Sequence, residues 1–262
     1  MRALLIKLGG SLLTDKEGSE TPHPERIERL AKEIAAARAT AEGNGERIVL
    51  GHGSGSFGHV AAAGAGLGKG PLNPSNLAGA SRTQERATAL HALVVEALRA
   101  AGLAPFSLAP GSFLLAKGGV AVERFLSPLA HALQLGLLPV VYGDVVLDRT
   151  WGASIASTEA VLSEIASGLP ALGIEISRAL WLGETDGVYD AAGETIPRLA
   201  KIEDAAIGAA RGTDVTGGMR LRLDTCLALA RRGIPSTILD GRAPGRLAAA
   251  IRDEDVPGTR IG

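Results

Sequence analysis

Short apolar segments alternate with helical patterns along almost the whole of this chain. Six segments have the length and composition of buried strands: 2–8, 47–51, 104–108, 138–142, 178–182 and 236–240. Apolar strands separated by helices are typical of a parallel sheet, because parallel neighbours need crossover connections that cover both faces. The sequence therefore predicts the α/β class, with one large domain, since 262 residues lie near the upper end of the single-domain range.

Helix-start signals support the same alternation. Pro24 stands where a first helical turn tolerates proline, and Ser157 has a side chain that can cap a helix N-terminus. Helices are predicted over 24–40, from Asn73-Pro74 to about 102, from Ser127 to about 136, over 158–168 and over 219–233.

Composition excludes several classes of protein. The formal net charge is −1, so no basic excess indicates a nucleic-acid or membrane-surface partner. The single cysteine, Cys226, excludes internal disulfides, and the five histidines show no zinc-binding spacing. Residues 2–8 are too short and too charged for a signal peptide, and no apolar run reaches membrane-spanning length. We expect a soluble cytoplasmic protein.

Glycine is unusually frequent, at 35 of 262 residues, and it clusters where predicted strands end. The first cluster is Lys7-Leu-Gly-Gly-Ser11, followed by Lys16. Two glycines let the backbone turn so that its amides can bind an anion, and the flanking lysines add positive charge. The alternative is an ordinary strand end with solvated lysines.

The second cluster, His52-Gly-Ser-Gly-Ser-Phe-Gly-His59, also follows a strand and is predicted to open a helix. It satisfies G-x-G-x-x-G, but it follows the second strand and no acidic strand end lies about 20 residues later, so a dinucleotide site is disfavoured. A different phosphate-binding loop is favoured, with His59 donating to an anion. The alternative for His59 is a helix-start histidine without a role.

Two later segments have related features. Glu184-Thr-Asp186-Gly-Val-Tyr189 places acidic residues after the strand at 178–182, where they can meet a ribose or can form a polar turn. Thr213-Asp-Val-Thr-Gly-Gly-Met219 leads into a helix that carries Arg222. A plain helix start needs only one cap, so the additional glycines favour a second anion-binding helix N-terminus.

Taken in order, these motifs resemble the amino acid kinase superfamily over almost the whole chain. The resemblance rests on the two glycine clusters, on Gly143-Asp144-Val, on Thr185-Asp186-Gly-Val and on Asp214-Val-Thr216-Gly-Gly-Met. Within that superfamily, the second cluster resembles the corresponding motif of the isopentenyl phosphate kinases, because it ends in a histidine.

The resemblance implies an open αβα sandwich with a mainly parallel central sheet. It implies an acceptor-binding lobe over about 1–170 and an ATP-binding lobe over about 171–262. The implied reaction is ATP-dependent phosphorylation of isopentenyl phosphate to isopentenyl diphosphate, with Mg²⁺, for isoprenoid precursor synthesis. A cytoplasmic homodimer is implied as well.

Site residues are carried over by matching position. The resemblance assigns catalysis to Lys7, Lys16 and His59. It assigns ATP binding to Lys7, Gly9, Gly10, Ser11, Gly55, Asp186, Gly218 and Arg222. It assigns acceptor binding to Ser54, His59 and Gly152, with no protein ligand for the metal.

Three positions depart from the superfamily pattern. Ser54 replaces a usual glycine, Arg222 stands where a lysine is expected, and Ser157-Thr-Glu159 replaces the usual Ser-Gly/Ser-Asp.

Two alternative functions therefore stay open. One is a kinase of the same fold that acts on fosfomycin or another small phosphate or phosphonate. The other is a non-catalytic ATP-binding or storage relative.

Overall fold

The computed structural model describes residues 1–15, 18, 20–67, 70–71, 77–200 and 218–262. The strands are β1 (Arg2–Leu8), β2 (Glu46–His52), β3 (Pro105–Ser107), β4 (Leu114–Lys117), β5 (Val120–Arg124), β6 (Leu138–Tyr142), β7 (Asp144–Asp148), β8 (Gly152–Ala156), β9 (Glu175–Gly183), β10 (Ser236–Asp240) and β11 (Thr259–Ile261). The helices are α1 (Gly10–Leu13), α2 (Pro24–Gly43), α3 (Gly55–Gly64), α4 (Leu77–Ala100), α5 (Ser127–Gln134), α6 (Thr158–Gly168), α7 (Gly218–Ala230) and α8 (Arg246–Ile251).

A seven-stranded sheet forms the centre of the molecule, in the order β11-β10-β9-β1-β2-β6-β3. Its pairings are parallel except for the antiparallel pair of β10 with β11. Successive side chains of β1 enter different cores, with Leu5 on one face and Leu4 and Ile6 on the other. Both faces are therefore buried, which confirms the predicted αβα sandwich.

The six predicted strands and the helix boundaries agree closely with the structure. Ser157 caps α6 as expected, since its Oγ accepts a hydrogen bond of 3.1 Å from the amide of Ala160. The predicted helix start at Asn73-Pro74 lies outside the described residues. Among those that are described, no helix is long and apolar enough to cross a bilayer.

Sequence reasoning missed a second sheet, in the order β5-β4-β7-β8. The carboxylate of Asp148 joins its turns by accepting hydrogen bonds from the amides of Gly118, Gly119, Thr150 and Trp151. Burial alone would raise the pKa of Asp148, but these four amides lower it well below its usual range.

The register of the central sheet brings four strand ends into line. Leu8 pairs with both His52 and Leu182, and His52 pairs with Tyr142. The residue after each of the strands β1, β2 and β6 is a glycine, and its amide donates to the last residues of the neighbouring strand: Gly9 to Leu182 O at 2.8 Å, Gly53 to Leu8 O at 2.9 Å and Gly143 to His52 O at 3.0 Å. The glycine turns therefore meet at one edge of the sheet, where α/β folds bind ligands.

Candidate active site

A cleft of about 520 Å³ opens at this edge. Residues from six separate segments line it: the turns after β1 and β2, the middle of α4, the β7–β8 hairpin, and the starts of α6 and α7. It brings together these predicted site residues: Lys7, Gly9, Gly10, Ser11, Ser54, Gly55, His59, Gly218 and Arg222. Motifs that lie more than two hundred residues apart in the sequence, such as those of Lys7 and Arg222, thus line one cleft.

The turn after β1 packs backbone to backbone against the turn after β2, and we call this contact the glycine seam. A Cβ added to Gly10 would lie 2.6 Å from the amide nitrogen of Gly55, and one added to Gly53 would lie 2.7 Å from that of Gly10. Gly55 also has a φ of +52°, which other residues rarely adopt. Because amides in a first helical turn have no acceptor within the helix, the starts of α1 and α3 present donors to one anion-binding region.

Three buried charges lie beside the seam. Lys7 Nζ is 2.8 Å from Glu159 Oε1, and Arg222 Nε is 4.0 Å from the same oxygen. Burial alone would raise the pKa of Glu159, but Lys7 and Arg222 together lower it, so the carboxylate stays ionised. The cluster therefore places two cationic side chains and one ionised carboxylate at the edge of the cleft.

Arg222 fits closely against the end of β9. A Cβ on Gly183 would lie 2.9 Å from Arg222 Nη1, so the missing side chain leaves room for the guanidinium group. The buried Nε of Arg222 makes no hydrogen bond within the described parts of the chain. The departure from lysine at this position is therefore sterically accommodated.

Glu159 is the functional residue that the sequence left unassigned. It follows the cap of α6 by two positions, where an acidic residue also suits the helix dipole. Its place in the sequence can therefore be explained by helix stability alone. Its ion pairs with two cations become apparent only in the folded structure, where the start of α6 lies beside β1 and α7.

Asp144 is a buried carboxyl group without a cation partner among the described residues. It is 2% exposed; Oδ1 accepts a hydrogen bond of 2.7 Å from Val145 N, and Oδ2 makes none with the described residues. Burial raises the pKa of Asp144 to about 7, against the smaller lowering effects of the Val145 amide and the Tyr142 hydroxyl. It lines the same cleft as His59.

A buried hydrogen-bonded chain lies behind the seam. His52 Nδ1 donates to the carbonyl of Gly53 at 3.0 Å, so its Nε2 accepts from His91 Nδ1 at 2.9 Å, and His91 Nε2 in turn accepts from Ser107 Oγ at 2.9 Å. Burial lowers the pKa of His52 to about 4. Burial, together with His52, lowers the pKa of His91 to about 3. Both rings are neutral near pH 7, and they fix the carbonyl from which the second turn begins.

Three predicted site residues are not placed in this cleft. Gly152, with a φ of +80°, starts β8 and pairs with Asp148, whereas the cleft lies at the other end of the hairpin, where Asp144 pairs with Ala156. Four residues of strand separate those ends by roughly 13 Å, so the structure does not bring Gly152 to the acceptor region. Asp186 is exposed in the turn after β9, and Lys16 lies outside the described residues.

A parallel α/β sheet whose strand ends carry abutting anion-binding turns and buried cations defines an enzyme that handles phosphate groups. The profile described as the amino acid kinase family matches residues 2–240. The chain belongs to the amino acid kinase family.

Relatives of known function cover the chain from end to end. The isopentenyl phosphate kinase of Methanothermobacter thermautotrophicus is 32% identical, with 98% of each chain covered. That of Haloferax volcanii is 33% identical, over 100% of this chain and 99% of the relative. A crystal structure titled as an isopentenyl phosphate kinase superposes with a TM-score of 0.84 at 28% identity, over 100% of both chains.

The raised pKa of Asp144 gives a prediction for stability. The folded-state pKa of about 7 lies above the ordinary pKa of 3.8 for an aspartic acid. Such an acid stabilises the fold only while protonated, so its contribution is present at low pH and is lost as the pH rises from about 4 through about 7. Asp144→Asn, which cannot ionise, should therefore gain roughly 1–3 kcal/mol of stability relative to the wild type between about pH 5 and about pH 8.

Urea unfolding of both proteins at the two pH values measures this difference. A stability difference that does not change with pH would contradict the assignment of a neutral Asp144.

Proposed function

We propose that this protein transfers the γ-phosphate of ATP to isopentenyl phosphate and yields isopentenyl diphosphate and ADP. The observation that carries the proposal is the glycine seam, where two anion-binding turns abut between Lys7 on one side and His59 on the other. Two phosphate groups must meet in this reaction, and the seam offers donors to both. The full-length relatives named isopentenyl phosphate kinase support the same acceptor.

The chemistry needs positioning and charge more than it needs a base. The nucleophile is an oxygen of the acceptor phosphate, which is already ionised near neutral pH. As that oxygen bonds to Pγ in line, the bond from Pγ to the oxygen bridging to Pβ breaks, and ADP leaves with its electron pair. The transfer is direct, without a phosphoenzyme.

Each side of the seam has its own task. Lys7, Gly10 and Ser11 stabilise the charge on the transferred phosphoryl group, and we expect Lys16 to assist them. Ser54 and His59 hold the acceptor phosphate, while Gly55 lies where the two phosphates meet. Glu159 holds the Lys7 ammonium group in position, because Lys7 and Arg222 are both ion-paired to this one carboxylate.

The donor nucleotide extends from the seam towards α7 and the end of β9. Gly218 and Arg222 line the cleft at the start of α7, and Asp186 lies beyond it on the β9 turn. Mg²⁺ would bind together with the ATP phosphates, as is usual in phosphoryl transfer. It would neutralise charge on the β- and γ-phosphates.

The acceptor tail meets apolar groups. Ala62, Ala87 and Ile155 line the cleft on the side of His59. Residues 1–170 would then serve mainly the acceptor and residues 171–262 mainly ATP. We also infer a cytoplasmic homodimer.

The first experiment measures ADP release with Mg-ATP and several acceptors. We expect turnover with isopentenyl phosphate and little with fosfomycin, uridylate or glutamate. Turnover with one of these but not with isopentenyl phosphate would contradict the proposed acceptor. Tight ATP binding without ADP release from any acceptor would indicate a non-catalytic relative.

His59→Ala tests how the acceptor phosphate is held. Hydrogen bonds to charged groups contribute about 1.5–3 kcal/mol, so kcat/KM for isopentenyl phosphate should fall roughly 10- to 150-fold. KM for ATP should change little, and His59→Gln should recover part of the loss because an amide still donates. Steady-state kinetics with both substrates varied, together with a melting curve, would contradict the role if the folded variant kept its acceptor kcat/KM.

Arg222 is tested by a pair of substitutions. Arg222→Lys preserves the positive charge beside Glu159 and should retain kcat within about tenfold, which corresponds to about 1.4 kcal/mol. Arg222→Met has a similar length but no charge, and kcat should fall more than a hundredfold. Equal losses in the two variants would show that guanidinium geometry, rather than charge, is what the site requires.

A further inference from the structure

The hydroxyl group of Thr14 crosses the glycine seam. Thr14 directly follows α1 as its C-cap residue. It is 1% exposed, yet it lines the cleft. Its Oγ1 donates to the carbonyl of Gly10 at 3.1 Å and accepts from the amide of Ser56 at 2.9 Å. One side chain therefore joins the turn after β1 to the turn after β2.

The bond to Ser56 satisfies an amide that α3 itself cannot satisfy. Ser56 lies in the first turn of that helix, where amides have no intrahelical acceptor. Its neighbour Gly55 makes room for the contact, since a Cβ there would lie 2.2 Å from Thr14 Oγ1. The amide of Ser56 thus donates to Thr14 and not to a ligand. A hydrogen bond therefore joins the two turns in addition to the packing of their backbones.

We infer that Thr14 is a positioning residue, which sets the separation between the donor and acceptor phosphates by tying their two binding turns together. The inference rests on the proposed function, because it takes the two turns to hold the two phosphates. In-line transfer depends on the distance and alignment of the reacting atoms, and a misplacement of about 1 Å can cost about a hundredfold in rate. Thr14 touches neither phosphate in this scheme; it acts through Gly10 and Ser56.

A positioning role predicts a specific kinetic pattern. Thr14→Val keeps the shape of the side chain and loses both hydrogen bonds. We expect kcat to fall roughly 10- to 100-fold, with KM for each substrate changed less than about threefold, because each turn still binds its own phosphate. Thr14→Ser keeps the hydroxyl group and should restore kcat to within about threefold of the wild type.

A matched control separates this role from general destabilisation. Ser177 Oγ donates to the carbonyl of Ala3 at 3.1 Å, another long-range side-chain bond to the backbone, at the opposite end of β1. Ser177→Ala should lower the melting temperature about as much as Thr14→Val does and leave kcat unchanged. Amide hydrogen exchange should rise at Ser56 in Thr14→Val alone.

The outcomes are distinguishable. A folded Thr14→Val enzyme with wild-type kcat, or a Thr14→Ser enzyme as impaired as Thr14→Val, would overturn the inference. If the wild type instead uses another acceptor of the screen, the proposed function fails. The same variants are then measured with that acceptor, because Thr14 joins the two turns whichever acceptor the enzyme uses.

Discussion

The direct contact of two backbones at the glycine seam is the constraint on which the rest of the site depends. Gly10, Gly53 and Gly55 leave no space for a Cβ, so the peptide groups of two turns stand side by side. Each glycine costs roughly 0.5–1 kcal/mol of chain entropy compared with alanine. In the proposed reaction, this contact is what lets the amide donors of both turns reach two neighbouring phosphate groups. The parallel register of β1 and β2 supplies the alignment.

Two buried carboxyl groups lie near the seam, and their surroundings shift their pKa values in opposite directions. Glu159 is buried, but two cations keep it ionised. Asp144 is buried with no cationic partner in the described part of the chain, and burial raises its pKa to about 7. Removing either cation would leave a buried carboxylate poorly compensated, which is strongly destabilising in proteins. Asp144, in contrast, avoids adding a second negative charge beside an anionic acceptor while it remains protonated.

The central sheet was predictable because its strands are continuous apolar runs bounded by glycine and by helix-start signals. β5 and β8 offer no such run, since β5 contains no buried residue and β8 contains only two, Ala153 and Ser154. The second sheet was missed for that reason. The family resemblance assigned Lys7, His59 and Arg222 to one site, and all three line one cleft. It also assigned Gly152 to the acceptor, whereas β8 carries this glycine to the end of the hairpin that lies away from the cleft. The contact of Thr14 with Ser56 depends on how α1 meets α3, which no local pattern encodes.

The paired imidazoles behind the seam set an acid limit for the enzyme. The pKa values of His52 and His91, about 4 and about 3, lie below the ordinary value of 6.5. A histidine of this kind stabilises the fold fully above about pH 6.5, and its contribution is lost as the pH falls through the folded-state value. Protonation of His52 would make its Nε2 a donor and break the hydrogen bond that this nitrogen accepts from His91 Nδ1. Acidification towards pH 4 would therefore break the contact between the two stacked rings and weaken the support that they give to the start of the turn after β2.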